Sequence, residues 1–234
     1  MAHLLDNIFW HSLTGAQAGF AIGDGGARRY AKGFSPILGF ADVHHPDFHA
    51  IASHCDLDEQ LYCADWAGDL PEGWQIKAED SMFRMVWDGE LPREEKQFSS
   101  RQLVPSDPHD AAQAMALAQL TKPGPFGLRT IELGRYVGCF EDGHLISMAG
   151  ERAFAPPYRE LSGVCTHPNY QGRGLARRLI HQVIRQQLLA QELPFLHVMS
   201  NNTAAHDLYL RMGFRDYCET AVRVIYRSHE FRQS

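Results

Sequence analysis

The sequence predicts an α/β fold of the α+β kind, a mixed central sheet flanked by helices, on three observations. Strand-like Glu160 to Thr166 passes through a turn at His167-Pro168-Asn169 and a glycine-containing loop into a long helical pattern. A second strand, Phe195 to Met199, leads to a helix that Asn202 or Thr203 caps and Gly213 stops. Ahead of both, Arg135 to Phe140 and Leu145 to Gly150 are strand-like runs joined at Glu141-Asp142-Gly143, a hairpin signal.

Taken in chain order, Thr14 reads as the cap of a short helix that ends at Gly23-Asp24-Gly25-Gly26. That glycine run reads as a turn rather than a phosphate site. Strand-like runs follow at Ile37 to Phe40, Gln60 to Cys63 and Ser81 to Trp87, the last bounded by Asp88-Gly89. The charged, proline-containing stretch Leu91 to Lys96 is the candidate linker between a lobe of residues 1–100 and a domain of residues 101–234. Ser106 or Asp107 caps a helix through Ala111 to Ala118, with Pro108 in its first turn and Pro123-Gly124-Pro125 as its stop. Pro156-Pro157 breaks the chain before the strand at Glu160. The long helix shows one apolar face, Ala176, Leu179, Ile180, Val183, Ile184 and Leu188, opposite Arg177, Arg178, His181, Gln182 and Arg185. Thr220 to Tyr226 alternates as a final strand.

At 234 residues with 44% hydrophobic content, the chain can bury a substantial core, and no apolar run is long enough to span a membrane. The N-terminus lacks the basic and apolar blocks of a secretion signal. Five cysteines, odd in number and without CxxC spacing, speak for a reduced, cytoplasmic protein. A formal charge of −6 argues against a nucleic-acid surface. His44, His45, His49, His54 and Cys55 lack any standard ligand spacing, so no metal site is expected. Trp66, Trp74 and Trp87 read as cover for the N-terminal lobe or for its contact with the rest.

Gly172 and Gly174 stand where backbone N–H groups and the positive end of a helix dipole would converge. Alone, Gly-x-Gly is either a plain turn or a phosphate cradle. It is not a nucleotide P-loop, because GxxxxGK[ST] is absent, nor the three-glycine dinucleotide fingerprint. The second segment decides. Gln171-x-x-Gly174-x-Ala176 and Asn202-x-x-Ala205-x-x-Leu208-Tyr209-x-x-x-Gly213-Phe214 match the two signatures of the GNAT superfamily of acyl-CoA-dependent N-acyltransferases, in order and at the usual distance. The resemblance covers the last hundred residues well and the first hundred hardly at all. Leu161-Ser-Gly-Val-Cys-Thr-His-Pro168 further resembles glycine N-acyltransferase-like proteins.

The resemblance implies the GNAT fold, whose helix, strand, strand, strand, helix, strand, helix, strand order the pattern follows. The N-terminal lobe is then either a degenerate GNAT-like copy or something unrelated; it carries no second glycine-rich loop. The resemblance also implies an acetyltransferase that uses acetyl-CoA, or another acyl-CoA, as co-substrate. The acyl group would pass to the primary amine of a small molecule or amino acid by direct attack in a ternary complex. Nucleic acid and membrane are not implied partners; a homodimer is compatible. The rival reading is a non-catalytic acyl-CoA-binding sensor.

By the same resemblance, the backbone of Gln171, Gly172, Arg173, Gly174, Leu175 and Ala176 anchors the diphosphate, and the Arg173 side chain either adds charge or is simply solvated. Val164, Cys165 and Thr166 offer a strand edge to the amides of the pantetheine arm. The Val164 amide would stabilise the developing oxyanion. Gly163 is either a bulge that opens the sheet or a site of tight packing. Tyr209 is the general acid, or a half-buried ring. Asn202 holds the cofactor arm, caps its helix, or both. Glu160 is the candidate general base, which needs partial desolvation, while Arg152 and Arg159 nearby would oppose it. His167 is a weaker base and belongs chiefly to its turn. Cys165 reads as a small core residue rather than a nucleophile.

Overall fold

The computed structural model describes residues 3–95 and 97–228, so Lys96 of the candidate linker lies outside the described residues. The elements in chain order are α1 (Ile8–Thr14), β1 (Ala21–Ile22), β2 (Ala27–Tyr30), β3 (Ile37–Phe40), α2 (Phe48–Ala52), β4 (Leu61–Ala64) and β5 (Trp74–Trp87). There follow β6 (Arg101–Gln102), α3 (Pro108–Thr121), β7 (Tyr136–Glu141), β8 (His144–Ala155), β9 (Tyr158–Thr166), α4 (Leu175–Leu189), β10 (Leu193–Met199), α5 (Thr203–Met212) and β11 (Phe214–Arg227).

All these strands join one mixed sheet in the order β1-β2-β3-β4-β11-β5-β10-β9-β8-β7-β6. The pairs β3–β4 and β9–β10 are parallel and the other neighbours are antiparallel. β5, from the first hundred residues, runs between β10 and β11, so residues on both sides of position 100 share the sheet.

The helices take the sides that their sequences dictate. The apolar face of α4 buries Leu179, Ile180, Val183 and Ile184 against Met85, Leu161 and Leu196. Burying each such side chain stabilises the fold by roughly 1.5–3 kcal/mol. α3 seats Ala114, Leu117 and Ala118 with Tyr136, Met148 and Cys165. Its cap is Asp107, whose carboxylate accepts from the His109 amide at 2.9 Å. Trp66 and Trp74 lie in the core around β3 and β4, whereas Trp87 stands edge-on to Phe214 at 5.1 Å.

Several expectations need correction. Thr14 ends its helix rather than beginning it: α1 buries Ile8, Phe9, Ser12 and Leu13, and the Thr14 hydroxyl donates back to the Trp10 carbonyl at 2.7 Å. The strands at residues 81–87, 145–150 and 220–226 are longer than the alternation suggested, because extended pairing with β11, β9 and β5 carries them on. The segment before Lys96 is fastened to α4: Arg185 donates to the Pro92 carbonyl at 3.0 Å and Arg178 pairs with Glu95 at 3.1 Å. Those contacts use part of the basic helix face. The Gly23–Gly26 run is the expected turn, between β1 and β2.

Candidate active site

β9 and β10 run parallel from Tyr158 and Leu193 to Leu161 and Leu196, and there their pairing ends. The cause lies in β9. Ser162 faces Gly150 and Cys165 faces Met148, so Gly163 and Val164 together oppose the single residue Ala149. That is a bulge, and Gly163 takes the left-handed φ of 62° that it requires. A Cβ on Gly163 would stand 2.8 Å from the Tyr136 ring, and one on Gly150 would stand 2.3 Å from it. Both readings of Gly163 hold together: it is a bulge, and it is packed.

Where the strands part, a cavity of about 470 Å³ opens, lined among others by Val164, Asn202 and Tyr209. Tyr209, on α5, is 9% exposed, and its hydroxyl has no hydrogen-bond partner among the described residues. Burial pushes its pKa up to about 12, so it carries its proton at neutral pH and can serve only as an acid there. Asn202 caps α5, its Oδ1 accepting from the Ala205 amide at 3.2 Å, and the residue borders the cavity.

Glu160 also borders the cavity, but the expected general base is not available there. It is fully buried. Its Oε1 accepts from Arg152 at 2.5 Å and His197 at 2.8 Å, and its Oε2 accepts from Arg152 at 2.9 Å and the Ala153 amide at 3.1 Å. Burial alone would raise its pKa, but the Arg152 charge and these donors outweigh burial and hold the carboxyl well below the usual range. A carboxylate with four donors and a depressed pKa is a poor proton acceptor.

His197 gave no signal in the sequence. It shares its strand with apolar neighbours, so it read as part of a strand and nothing more. In the fold it donates from Nδ1 to Glu160 and accepts at Nε2 from Arg84 Nε at 2.9 Å. Glu160 only accepts and Arg84 only donates, so these partners assign the neutral tautomer. Burial lowers its pKa against the pull of Glu160. Arg84, itself buried, closes the chain with Asp65 at 2.8 and 2.9 Å. Glu160, Arg152 and His197 of the cavity lining thus belong to a charge-balanced, hydrogen-bonded network that runs on to Arg84 and Asp65.

The glycine-rich loop lies beyond this cavity rather than in its lining. Gly172 and Gly174 both take left-handed φ, 76° and 74°, and a Cβ on either would meet nothing within 4 Å. Their N–H groups reach no acceptor among the described residues. Leu175 and Ala176 begin α4, whose first amides likewise lack intrahelical partners. An anion fits this cradle of unpaired donors. Gln171 donates to the Thr166 carbonyl at 3.4 Å, and Arg173 lies over the Tyr170 ring at 4.7 Å.

The side chains of two expected cofactor-binding residues are engaged within the protein. Cys165 points its side chain to the α3 core, where burial pushes its thiol up to about 11. The Thr166 hydroxyl pairs with Ser147 at 2.8 Å. His167 accepts from the Asn169 amide at 3.2 Å, as a turn residue would. In the histidine cluster, His45 pairs with Asp42, His54 with Asp24, and the Cys55 thiol donates to the Ile51 carbonyl.

Comparison with known proteins agrees with this geometry. The acetyltransferase (GNAT) family model matches residues 100–214. Over 83 residues the chain is 34% identical to the N-alpha-acetyltransferase RimI of Mycobacterium tuberculosis, a stretch covering 34% of this chain and 51% of that protein. The chain therefore spans about half the length of this curated relative. A crystal structure from Novosphingobium aromaticivorans, assigned to GNAT-family acetyltransferases, superposes with a TM-score of 0.85 at 31% identity, over 97% of this chain and 100% of that one. A GCN5-related N-acetyltransferase from Kribbella flavida shares the fold with a TM-score of 0.61 at 15% identity, over 95% and 94% of the two chains. The split strands, the open glycine cradle and these likenesses agree: the chain belongs to the GNAT family of acetyltransferases.

Proposed function

We propose that the protein transfers an acetyl group from acetyl-CoA to the primary amine of a small molecule or amino acid, by direct attack in a ternary complex. The observation that carries this reading is the parting of β9 from β10, which leaves the unpartnered Tyr209 hydroxyl in the same cavity as Val164. The cradle of Gly172 and Gly174 suits the diphosphate, and the free edge of Gly163 to Thr166 suits the pantetheine amides. The Val164 N–H is the oxyanion donor in this reading, and Asn202 Nδ2 a donor to the cofactor arm.

The amine lone pair bonds to the thioester carbonyl carbon, and the C–S bond breaks with its electron pair on sulfur. Tyr209 gives that sulfur its proton, while the amine nitrogen releases one to water and the phenol is reprotonated from solvent. The Cys165 thiol, buried and turned to the α3 core, supports a route without an acyl-enzyme. The glycine N-acyltransferase-like acceptor and a cytoplasmic setting belong to this proposal too. One observation favours the sensor reading instead: Glu160 and His197, both in the cavity lining, are committed to the protein.

The test is calorimetric titration with acetyl-CoA, followed by thiol release from the complex with a panel of amines. Binding with release that Tyr209→Phe abolishes supports the enzyme. Binding with no release from any amine supports the sensor. No binding refutes both.

A further inference from the structure

The charges that line the cavity are paired, with two exceptions. Arg152 and Glu160 neutralise each other, and Glu79 is paired with Arg223. Asp80 accepts from the Ser81 amide at 2.8 Å and from Asn201 Nδ2 at 2.7 Å, both neutral donors, and faces no cation among the described residues. Lys122 makes no ion pair or side-chain hydrogen bond among them. Both residues are exposed, so the cavity presents at its rim one negative and one positive group that no protein charge pairs.

Their places in the fold differ. Asn201 fastens Asp80 to the turn before Asn202, hence beside the start of α5, the helix that carries Tyr209. Lys122 follows α3 in the left-handed conformation, φ 50°, with its N–H on the Ala118 carbonyl at 2.8 Å and Pro123 next. It borders the first cavity and also a second one of about 430 Å³, lined by Gln60, Met115, Gln119 and Phe126. Tyr62, Lys122, Gly124 and Pro125 belong to both cavities, and Lys122 is the charged side chain in the lining of the second.

Resting on the acetyl-transfer reading, we infer that the acceptor is a free amino acid, held with its amine toward Asp80 and its carboxylate toward Lys122. A carboxylate makes a charge-assisted hydrogen bond with Lys122 that a neutral amide does not. A peptide N-terminus, the acceptor that the name of an N-alpha-acetyltransferase implies, has an amide in that position. A polyamine would meet repulsion there.

The experiment compares kcat/KM for the common α-amino acids, β-alanine and γ-aminobutyrate with their amides and their decarboxylated amines, with acetyl-CoA binding measured alongside. At least one free amino acid is expected to exceed its amide by roughly ten- to hundredfold, the range of a hydrogen bond to a charged group. Lys122→Gln should erase that ratio, while Asp80→Asn should lower acid and amide alike. Acetyl-CoA binding with equal rates for acid and amide, or a ratio indifferent to Lys122→Gln, overturns the acceptor assignment and leaves acetyl transfer standing. Bound acetyl-CoA with turnover of no amino acid overturns it as well. Failure to bind acetyl-CoA overturns the transfer reading itself.

Discussion

β3 and β4 in the first half of the chain form a parallel pair, as β9 and β10 do in the second. Each half also sends its last strand to the other: β5 lies against β10, and β11 against β4. Beyond that the halves diverge. β3 is buried along its length with no register shift, and the helix after it, α2, has five residues. β9 bulges at Gly163 and leads through the open glycine loop into α4, which has 15 residues. The lesson is that a parallel pair alone makes no site. The proposed acetyl transfer calls for a left-handed glycine that parts the strands, unpaired amides to receive an anion, and a long helix after the loop.

The largest expected effect concerns what holds the second pair in place. Glu160→Ala would strand the buried Arg152 charge and cost about 3–5 kcal/mol of unfolding free energy, read by chemical denaturation. The pH dependence separates this polar support from the apolar packing around β3. The folded pKa of Glu160 is depressed, so its contribution is present above the unfolded value near 4.3 and is lost as pH falls below it. The folded pKa of His197 is also depressed, so the unfolded chain takes up a proton that the folded chain refuses. Stability should therefore begin to fall once pH drops below about 6.5. A stability curve flat from pH 7 to 4 would contradict the network.

Tyr209→Phe comes next. Its kcat should drop by about a hundredfold or more, while unfolding free energy stays within about 0.5 kcal/mol, because the hydroxyl has no protein partner to lose. Two glycines then compare the halves directly. Gly163→Ala puts a Cβ against Tyr136 at a positive φ, and Gly39→Ala puts one 2.7 Å from the Trp10 backbone nitrogen. Each should destabilise by about 1–3 kcal/mol. Only the change at Gly163 should also weaken acetyl-CoA binding; equal binding losses would erase the distinction between the halves. The smallest effect is Asn202→Ala, about 1 kcal/mol from the lost cap, with a rise of a few-fold in KM for acetyl-CoA.

Much of the second half was legible because its signals are local. The Gly143 hairpin, the Asp107 and Asn202 caps, the Gly213 stop and the apolar face of α4 each depend on residues within a few positions of one another. Gly163 and the loop glycines were legible because backbone conformation selects for glycine. What escaped the sequence is nonlocal. Alternation in residues 81–87 marks a strand but not its neighbours, so the place of β5 between β10 and β11 could not be read. Arg84 in such a strand would ordinarily face water, since buried arginine is rare without a partner. Its partners are 19 and 113 residues away, Asp65 and His197. For the same reason Glu160 read as a candidate general base: Arg152 was noted as opposing that role, but the burial that locks the pair arises only when α1, β8 and β10 come together.

Calorimetric titration with acetyl-CoA, read for stoichiometry, tests the account most directly. One molecule per chain, lost when the Gly174 position is changed to valine, is the predicted result, because the open Gly172–Gly174 cradle and the bulge at Gly163 both lie in the second half. Two molecules per chain, or binding indifferent to Gly174→Val, would contradict it.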